Sequence, residues 1–300
     1  MEFNDNELEI IKDARNRQIY NQVAKHIPEN GWDATVAIVR AHEGAVHQFG
    51  TGTLFRVGND SFVVTAAHVI KKASAQDKTL GITSAADSIV AVPGTWMCSS
   101  EGQYGSPADL FDVAVHKLPK DVIDKIGNKT YLTFDDIEFK AQSPTAVYTL
   151  FGFPGIWADS TKTDTDRLNL KPLQFTAYAY DRDTDAFKDY QERFHLLLDA
   201  QLTQSIADDG SPAKFTDLKG SDAPFPGALG GISGCSVWRI GDLHVPIDKW
   251  SQDPSRVVAV LTGDYDPKDA IIATKWVAVS TLLYGGFPEV RKAMQPWLTK

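Results

Sequence analysis

The residues with the clearest chemical potential form a short turn, Gly231-Ile232-Ser233-Gly234. Glycine tolerates the backbone conformations that a tight turn needs and lets a ligand backbone approach closely. The N–H groups of Gly231 and Ser233 could then point at one spot beside the Ser233 hydroxyl. Such a spot suits a carbonyl oxygen that gains negative charge while a serine attacks the carbonyl carbon. An ordinary Gly/Ser turn before a strand has the same pattern, so the turn by itself decides nothing.

A serine nucleophile needs a base, and the base needs an acid that holds its tautomer. His68 follows the apolar run 63–67, which predicts an imidazole at the end of a partly shielded strand. Asp112 precedes the apolar run 113–115, and a buried carboxylate there needs a hydrogen-bonded partner such as a His ring N–H. The chain order His68, Asp112, Ser233 is one of the orders in which such a triad occurs.

Rival assignments for the same chemistry are weaker. Asp109 competes with Asp112 as the acid, but the apolar run begins directly after Asp112. Cys235 does not occupy the nucleophile position of the turn, which disfavours a cysteine nucleophile. An α/β-hydrolase needs the order Ser, Asp, His, and His244 is too near to Ser233 to serve as its histidine.

The elements that must position these residues are short strands. Runs rich in Val, Thr and Phe alternate with turn residues, which favours a barrel or sandwich over βαβ units. A polar stretch, 120–142, divides the strands into two sets, and helical periodicity predicts helices at 4–27 and 288–298. The predicted strands are 34–41, 50–57, 61–69, 89–92, 112–118, 146–151, 173–180, 194–200, 256–261 and 275–282.

Composition limits the classes of function. The 300 residues are 43% hydrophobic and carry a formal net charge of −9, which argues against nucleic acid and anionic membrane surfaces as partners. No apolar run approaches the roughly 20 residues that span a bilayer. An acidic, polar N-terminus and only two cysteines, Cys98 and Cys235, predict a cytoplasmic protein without a secretory signal. No Cys/His cluster has ligand spacing, so neither a metal nor another cofactor is expected.

Together these motifs resemble the trypsin-like, chymotrypsin-fold serine proteases, and they are more similar to the bacterial HtrA-like branch than to the digestive enzymes. The resemblance covers about 35–283 and implies an all-β fold of two six-stranded β-barrels, with a helix at each end of the chain. It implies an N-terminal helical extension over 1–30, a first barrel over 31–130 and a second over 131–300. The motifs that carry it are Thr65-Ala66-Ala67-His68, Gly50-Thr51-Gly52-Thr53-Leu54-Phe55, Asp112-Val113-Ala114-Val115, Gly152-Phe153-Pro154 and Gly231-Ile232-Ser233-Gly234.

The resemblance implies an intracellular endopeptidase that cleaves protein or peptide substrates through an acyl-enzyme, without a cofactor. Ser233 would attack, and His68 would act first as general base and then as general acid. Asp112 would orient His68, and the N–H groups of Gly231 and Ser233 would hold the oxyanion. All of these residues would meet in the cleft between the barrels.

Two departures from the family pattern keep an alternative function open. Ile232 stands where activated trypsins carry an acid that pairs with a cleaved N-terminus, which rules against activation by an N-terminal clip. Cys235 and Ser236 stand where the family usually has Gly and Pro, and a Cβ at 235 is costly if that residue needs a positive φ. The alternative is a catalytically weak protease fold that serves as a peptide-binding or scaffolding module.

Specificity and control can also be predicted. The resemblance places Gly227 at the floor of the primary pocket, which favours a small or apolar side chain before the cleaved bond. Asp264 or Asp266, just after the predicted strand 256–261, is a rival wall acid that would favour Lys or Arg there. The stretch 201–230 is longer than its HtrA-like counterpart, and its Gly and Pro residues disfavour helix and strand. It is either a passive insertion or a loop that gates the site and is ordered by an activating protein partner.

Overall fold

The structure is a computed structural model, and the following paragraphs concern the residues that it describes. The predicted N-terminal helix at 4–27 and the pocket residue Gly227 lie outside them. No helix in the described ranges has the length and apolar character needed to cross a bilayer. These ranges are 28–42, 45–74, 80–86, 88–99, 111–140, 143–155, 170, 172–185, 187, 190–199, 214–216, 222–224, 230–252, 255–265 and 270–298.

The first half of the chain forms a seven-stranded antiparallel sheet. Its strands are β1 (Thr35–His42), β2 (Ala45–Val57), β3 (Asp60–Ala66), β4 (Leu80–Thr83), β5 (Ile89–Val92), β6 (Met97–Cys98) and β7 (Val113–Lys117). Across the sheet they follow the order β5-β4-β1-β2-β3-β7-β6. A short helix, α1 (Glu29–Asp33), precedes the sheet, and two further helices, α2 (Ala67–Ser74) and α3 (Lys120–Ile126), accompany it.

The second half forms a closed six-stranded barrel. Its strands are β8 (Ala146–Gly152), β9 (Leu173–Ala179), β10 (His195–Asp199), β13 (Ser236–Asp242), β14 (Arg256–Tyr265) and β15 (Ala270–Lys275). Around the barrel they follow the order β10-β15-β14-β13-β8-β9. A separate hairpin is formed by β11 (Lys214–Thr216) and β12 (Asp222–Pro224). Two helices, α4 (Trp276–Gly286) and α5 (Arg291–Leu298), follow the barrel, and a 3₁₀ turn, Pro288–Val290, joins them.

These two β units confirm the predicted all-β, two-barrel architecture of the chymotrypsin type. The second unit has the six strands expected. The first differs, because it has seven strands and no ladder joins β5 to β6 within the described residues. The strand β6 is only two residues long, and Pro93, directly after β5, has no N–H with which to extend a ladder.

A shared apolar core holds the two units together. Phe55 from β2, Trp238 from β13 and Trp276 from α4 belong to one buried cluster. The rings of Phe55 and Trp276 lie 4.6 Å apart, within the range of favourable aromatic pairs. Because each aromatic side chain removes a large apolar area from water, this cluster fixes the relative position of the cleft walls.

Two of the predicted elements are corrected by the structure. The run 275–282 is not a strand, because β15 ends at Lys275 and α4 begins at Trp276. As a helix, this run places Trp276, Val279 and Leu283 on one buried face, whereas the periodicity of a short apolar run does not separate helix from strand. The stretch 201–230 contains the paired strands β11 and β12, so the expectation that its Gly and Pro residues disfavour strand is wrong there. Its proline at 224 is the last residue of β12, where a missing ladder N–H is tolerated.

Candidate active site

The acid Asp112 contacts His68 through both carboxylate oxygens. Oδ2 lies 2.6 Å from His68 Nδ1, and Oδ1 accepts the backbone N–H of His68 at 2.8 Å. The Asp112 carbonyl also accepts the N–H of Ala67 at 2.9 Å. Asp112 and His68, 44 positions apart in the chain, are therefore joined by two hydrogen bonds, and a third joins Asp112 to Ala67.

These bonds explain a correction to the predicted position of His68. The strand β3 ends at Ala66, and His68 is the second residue of α2 rather than the end of a strand. The first N–H groups of a helix have no partner within the helix. Asp112 supplies acceptors to two of them, which lets the chain turn into a helix directly after β3.

The contact with Asp112 also sets the chemistry of the imidazole. A carboxylate can only accept, so Nδ1 carries a proton and Nε2 of the neutral ring is left as a base. The side chains of His68 and Asp112 are 31% and 29% exposed, so both are mostly buried but still accessible to solvent. Asp112 has a φ of 44° and is the only described residue besides glycine with positive φ. Strain of this kind costs about 1–3 kcal/mol and concentrates at functional sites.

The turn that carries Ser233 is tight and depends on glycine. The Ile232 carbonyl accepts the Cys235 N–H at 3.0 Å, and Gly234 has a φ of 92°, which is the pattern of a type II turn. A Cβ on Gly234 would overlap the Thr51 carbonyl and the Thr65 hydroxyl. Glycine is therefore required at 234 both by its φ and by the space available.

Both β units hold this turn in place. The Ser233 carbonyl accepts the N–H of Thr51 on β2 at 2.8 Å, and the Gly234 N–H donates to Leu261 on β14 at 2.7 Å. The Gly231 carbonyl accepts the Thr51 hydroxyl at 2.9 Å and Gln48 Nε2 at 3.2 Å. The serine is thus fixed between one strand of the first sheet and one of the second barrel.

The two N–H groups predicted to hold an oxyanion are oriented by their neighbours. The Gly230 carbonyl accepts the Gly155 N–H at 2.8 Å, and the Ile232 carbonyl points at Cys235. In a planar trans peptide the C=O and the next N–H point in opposite directions, so the Gly231 and Ser233 N–H groups point away from these partners. Neither of the two has a hydrogen-bond partner among the described residues.

One cavity of about 250 Å³ brings the candidate residues together. His68 comes from α2, Ser233 and Gly231 come from the turn, and Leu261, Thr262 and Gly263 come from β14. A larger cavity of about 800 Å³ lies against β10 and the start of α4 and contains none of these residues. The described lining of the smaller cavity is Phe49, His68, Lys72, Gly230, Gly231, Ser233, Leu261, Thr262 and Gly263.

The two departures from the family pattern are accommodated in the second barrel. Ile232 and Cys235 are 1% and 0% exposed and lie in its apolar core. Cys235 does not have a positive φ, so its Cβ causes none of the backbone strain that the sequence analysis considered. Burial raises the pKa of the Cys235 thiol far above its usual range, which keeps it protonated and unreactive.

The primary pocket stays a prediction. Gly227 lies outside the described residues, and of Asp264 the structure describes only the backbone, which pairs with Ile271 in the β14–β15 ladder. No cluster of three potential metal ligands occurs in the described part of the chain.

Four residues at the site were not predicted from sequence. Gln48 and Thr51 contact the serine turn from about 180 positions away, and no local pattern marks such a contact. Phe49 and Lys72 line the cavity. A helix predicted after β3 would have placed Lys72 on the same face as His68, since residues four apart on a helix are neighbours.

Comparisons with known proteins find similar solved structures at low sequence identity. No family model matches the chain, and no curated protein matches it. The serine protease domain of the Sesbania mosaic virus polyprotein is 15% identical, with a TM-score of 0.42 over 82% of this chain and 91% of that one. A Glu endopeptidase is 12% identical, with a TM-score of 0.45 over 85% and 90%. A serine endoprotease from Yersinia pestis is 14% identical, with a TM-score of 0.46 over 89% and 65%.

These similar structures are chymotrypsin-fold serine proteases, which is the family that the sequence resembles. At such low identities and TM-scores, the fold assignment rests on the strand order of the two β units. A closer relation to the HtrA-like branch stays a prediction.

Proposed function

We propose that this chain is a serine endopeptidase in which Ser233 is the nucleophile, His68 the general base and acid, and Asp112 the residue that orients His68. The observation that carries the proposal is the pair of bonds from Asp112 to His68, beside Ser233 in one cavity. Such bonds leave Nε2 of His68 as the ring nitrogen that can accept the proton of the serine hydroxyl. The substrate is a protein or peptide chain.

The reaction proceeds in two stages. Ser233 Oγ attacks the carbonyl carbon of the peptide bond while Nε2 of His68 takes the hydroxyl proton. The oxygen that becomes negative is held by the N–H groups of Gly231 and Ser233, which are already oriented and have no competing partner among the described residues. His68 then gives the proton to the leaving amine. In the second stage, water attacks the carbonyl carbon of the acyl-enzyme while His68 takes a proton from the water. His68 returns this proton to Ser233 Oγ as the ester bond breaks.

We further propose that the protein acts inside the cell. An endopeptidase there must have its activity restrained, and we assign this regulation to a partner protein or to the ordering of 201–230. For the pocket, we retain the preference for a small or apolar side chain before the cleaved bond, with Asp264 as the rival determinant of a Lys or Arg preference.

Labelling with a fluorophosphonate tests the nucleophile directly. We expect the wild-type protein to be labelled and Ser233→Ala to be inert. Ser236→Ala is the matched control, because Ser236 is the nearest other serine and is buried, with its hydroxyl accepting the Trp238 indole N–H. Absence of labelling in well-folded wild-type protein would contradict the proposal and favour a peptide-binding module.

A further inference from the structure

The candidate cavity has an uneven charge. Lys72 and His68 are the described lining residues that can carry a positive charge, and none of the described lining residues is acidic. Lys72 is exposed and forms no ion pair with another described residue. It lies one helical turn after His68 on α2, so the two side chains share a face of that helix. Lys72 therefore places a positive charge at the cavity, although the chain as a whole has a net charge of −9.

The position of Lys72 relative to the reacting bond follows from the roles proposed above. His68 must reach the leaving nitrogen to protonate it, so the part of the substrate after the cleaved bond lies on the side of α2. We place the part before the bond on the side of β14, whose residues Leu261, Thr262 and Gly263 also line the cavity. Lys72 therefore faces the residues that follow the cleaved bond.

Phe49 completes this side of the cavity. The guanidinium of Arg40 lies 5.1 Å from the centre of the Phe49 ring, within the range of a cation–π contact. Arg40 is 2% exposed, so the ring rests on a buried cation rather than on solvent. This side of the cavity thus contains an aromatic ring supported by Arg40 and the exposed side chain of Lys72.

We propose that this side selects substrates that carry an acidic side chain one or two residues after the cleaved bond, which Lys72 binds as an ion pair. The inference rests on the proposed endopeptidase function and adds a substrate class to it. An ion pair in such an exposed place contributes modestly, so the expected preference is roughly two- to fivefold. At about 1 M salt the preference is lost, because charges are then screened over about 3 Å.

The experiment compares two peptides that differ by one charge. A neutral peptide that the protein cleaves well, found with a peptide library, is made with Glu or with Gln at each of the two positions after the cleaved bond. For the wild type we expect kcat/KM for the Glu peptide to exceed that for the Gln peptide by roughly two- to fivefold. Lys72→Gln should bring the ratio to about one, and Lys72→Glu should invert it, because like charges then meet.

Lys71→Glu is the matched control. Lys71 is the exposed neighbour on the same helix and is absent from the cavity lining, so this variant changes the net charge equally without changing the site. Its Glu/Gln ratio should equal that of the wild type. A ratio that shifts equally in the Lys71 and Lys72 variants would show a general charge effect and overturn the inference.

The inference and the proposed function can fail separately. A wild type that cleaves both peptides at the same rate would leave the function standing and remove the role of Lys72. If no peptide is cleaved, the same peptides are titrated into Ser233→Ala protein, with and without Lys72→Glu, by calorimetry. Tighter binding of the Glu peptide that Lys72→Glu abolishes supports the acidic preference, and equal binding of the two peptides overturns it.

Discussion

Thr51 of the first sheet donates its hydroxyl hydrogen to the carbonyl oxygen of Gly231 on the second barrel, across 2.9 Å. The same hydroxyl accepts the N–H of Phe153 at 3.1 Å, and the Thr51 carbonyl accepts the Thr65 hydroxyl at 2.7 Å. Thr51 therefore connects β3, through its carbonyl, with the turn of Ser233, through its hydroxyl. It fixes the peptide on one side of Gly231, and the Gly155 contact to Gly230 fixes the peptide on the other.

The first prediction concerns Thr51. Thr51→Val keeps the shape but removes the hydroxyl, so the Gly231 carbonyl loses one of its two side-chain donors. A typical hydrogen bond contributes about 0.5–1.5 kcal/mol, so we expect kcat to fall roughly two- to tenfold with little change in KM. Thr51→Ser retains the hydroxyl and should retain kcat. Steady-state kinetics on one peptide measures kcat and KM of both variants. If the Val variant had the same kcat as the Ser variant, the Thr51 hydroxyl would have no role in positioning the turn.

The second prediction concerns Asp112. Asp112→Asn can still accept the His68 backbone N–H, so the start of α2 should form and the melting temperature should change little. The amide does not hold the imidazole in the required tautomer, and in triads of this type the same change lowers kcat about 10⁴-fold. Peptide hydrolysis and thermal unfolding are measured on the same sample. A folded Asn variant with a wild-type rate would remove Asp112 from the site. An unfolded Asn variant would show instead that the hydrogen bonds between Asp112 and α2 are required for folding.

The third prediction concerns Gly234. Ala at this position would need both a φ of 92° and space that the Thr51 carbonyl and Thr65 hydroxyl occupy. We expect Gly234→Ala to destabilise the fold by about 1–3 kcal/mol or more and to abolish fluorophosphonate labelling. Gly285→Ala is the control, because a Cβ there meets nothing within 4 Å and the residue lies in α4. Denaturant unfolding should show the control to be as stable as the wild type or slightly more stable, since Ala is a better helix former than Gly.

The fourth prediction concerns stability in acid. Burial lowers the pKa of His116 below its ordinary 6.5, although its ring nitrogen Nδ1 lies 3.0 Å from the Thr95 carbonyl. The unfolded chain then binds a proton at a higher pH than the folded chain. The contribution of neutral His116 to stability is therefore present above about pH 6.5 and is lost as the pH falls through its folded pKa.

Urea unfolding at a series of pH values measures this effect. Wild-type stability should decline below about pH 6.5, and His116→Gln, which does not titrate, should decline less steeply over the same range. The stability difference between the two proteins should thus narrow or reverse on acidification. Parallel curves for the two proteins would assign the acid sensitivity to other groups.

The sequence by itself determined several of the strands and the local motifs. Short apolar runs bounded by turn residues, such as 34–41 and 146–151, favour strands, and they became β1 and β8 with nearly the predicted bounds. The glycine at 234 could also be recognised locally, because a turn that presents Ser233 needs a residue tolerant of positive φ. Such features depend on neighbours in the chain, which the sequence shows directly.

Tertiary structure decided what depends on distant residues. His68 lies on a helix rather than at a strand end because Asp112, 44 positions away, supplies acceptors to the first helical N–H groups. The run from Trp276 is helical because its buried face completes the core between the two β units. The orientation of the Gly231 N–H depends on Thr51 and Gly155, whose contacts no spacing in the sequence reveals. Each of these outcomes is set by hydrogen bonds or packing between segments that only folding brings together.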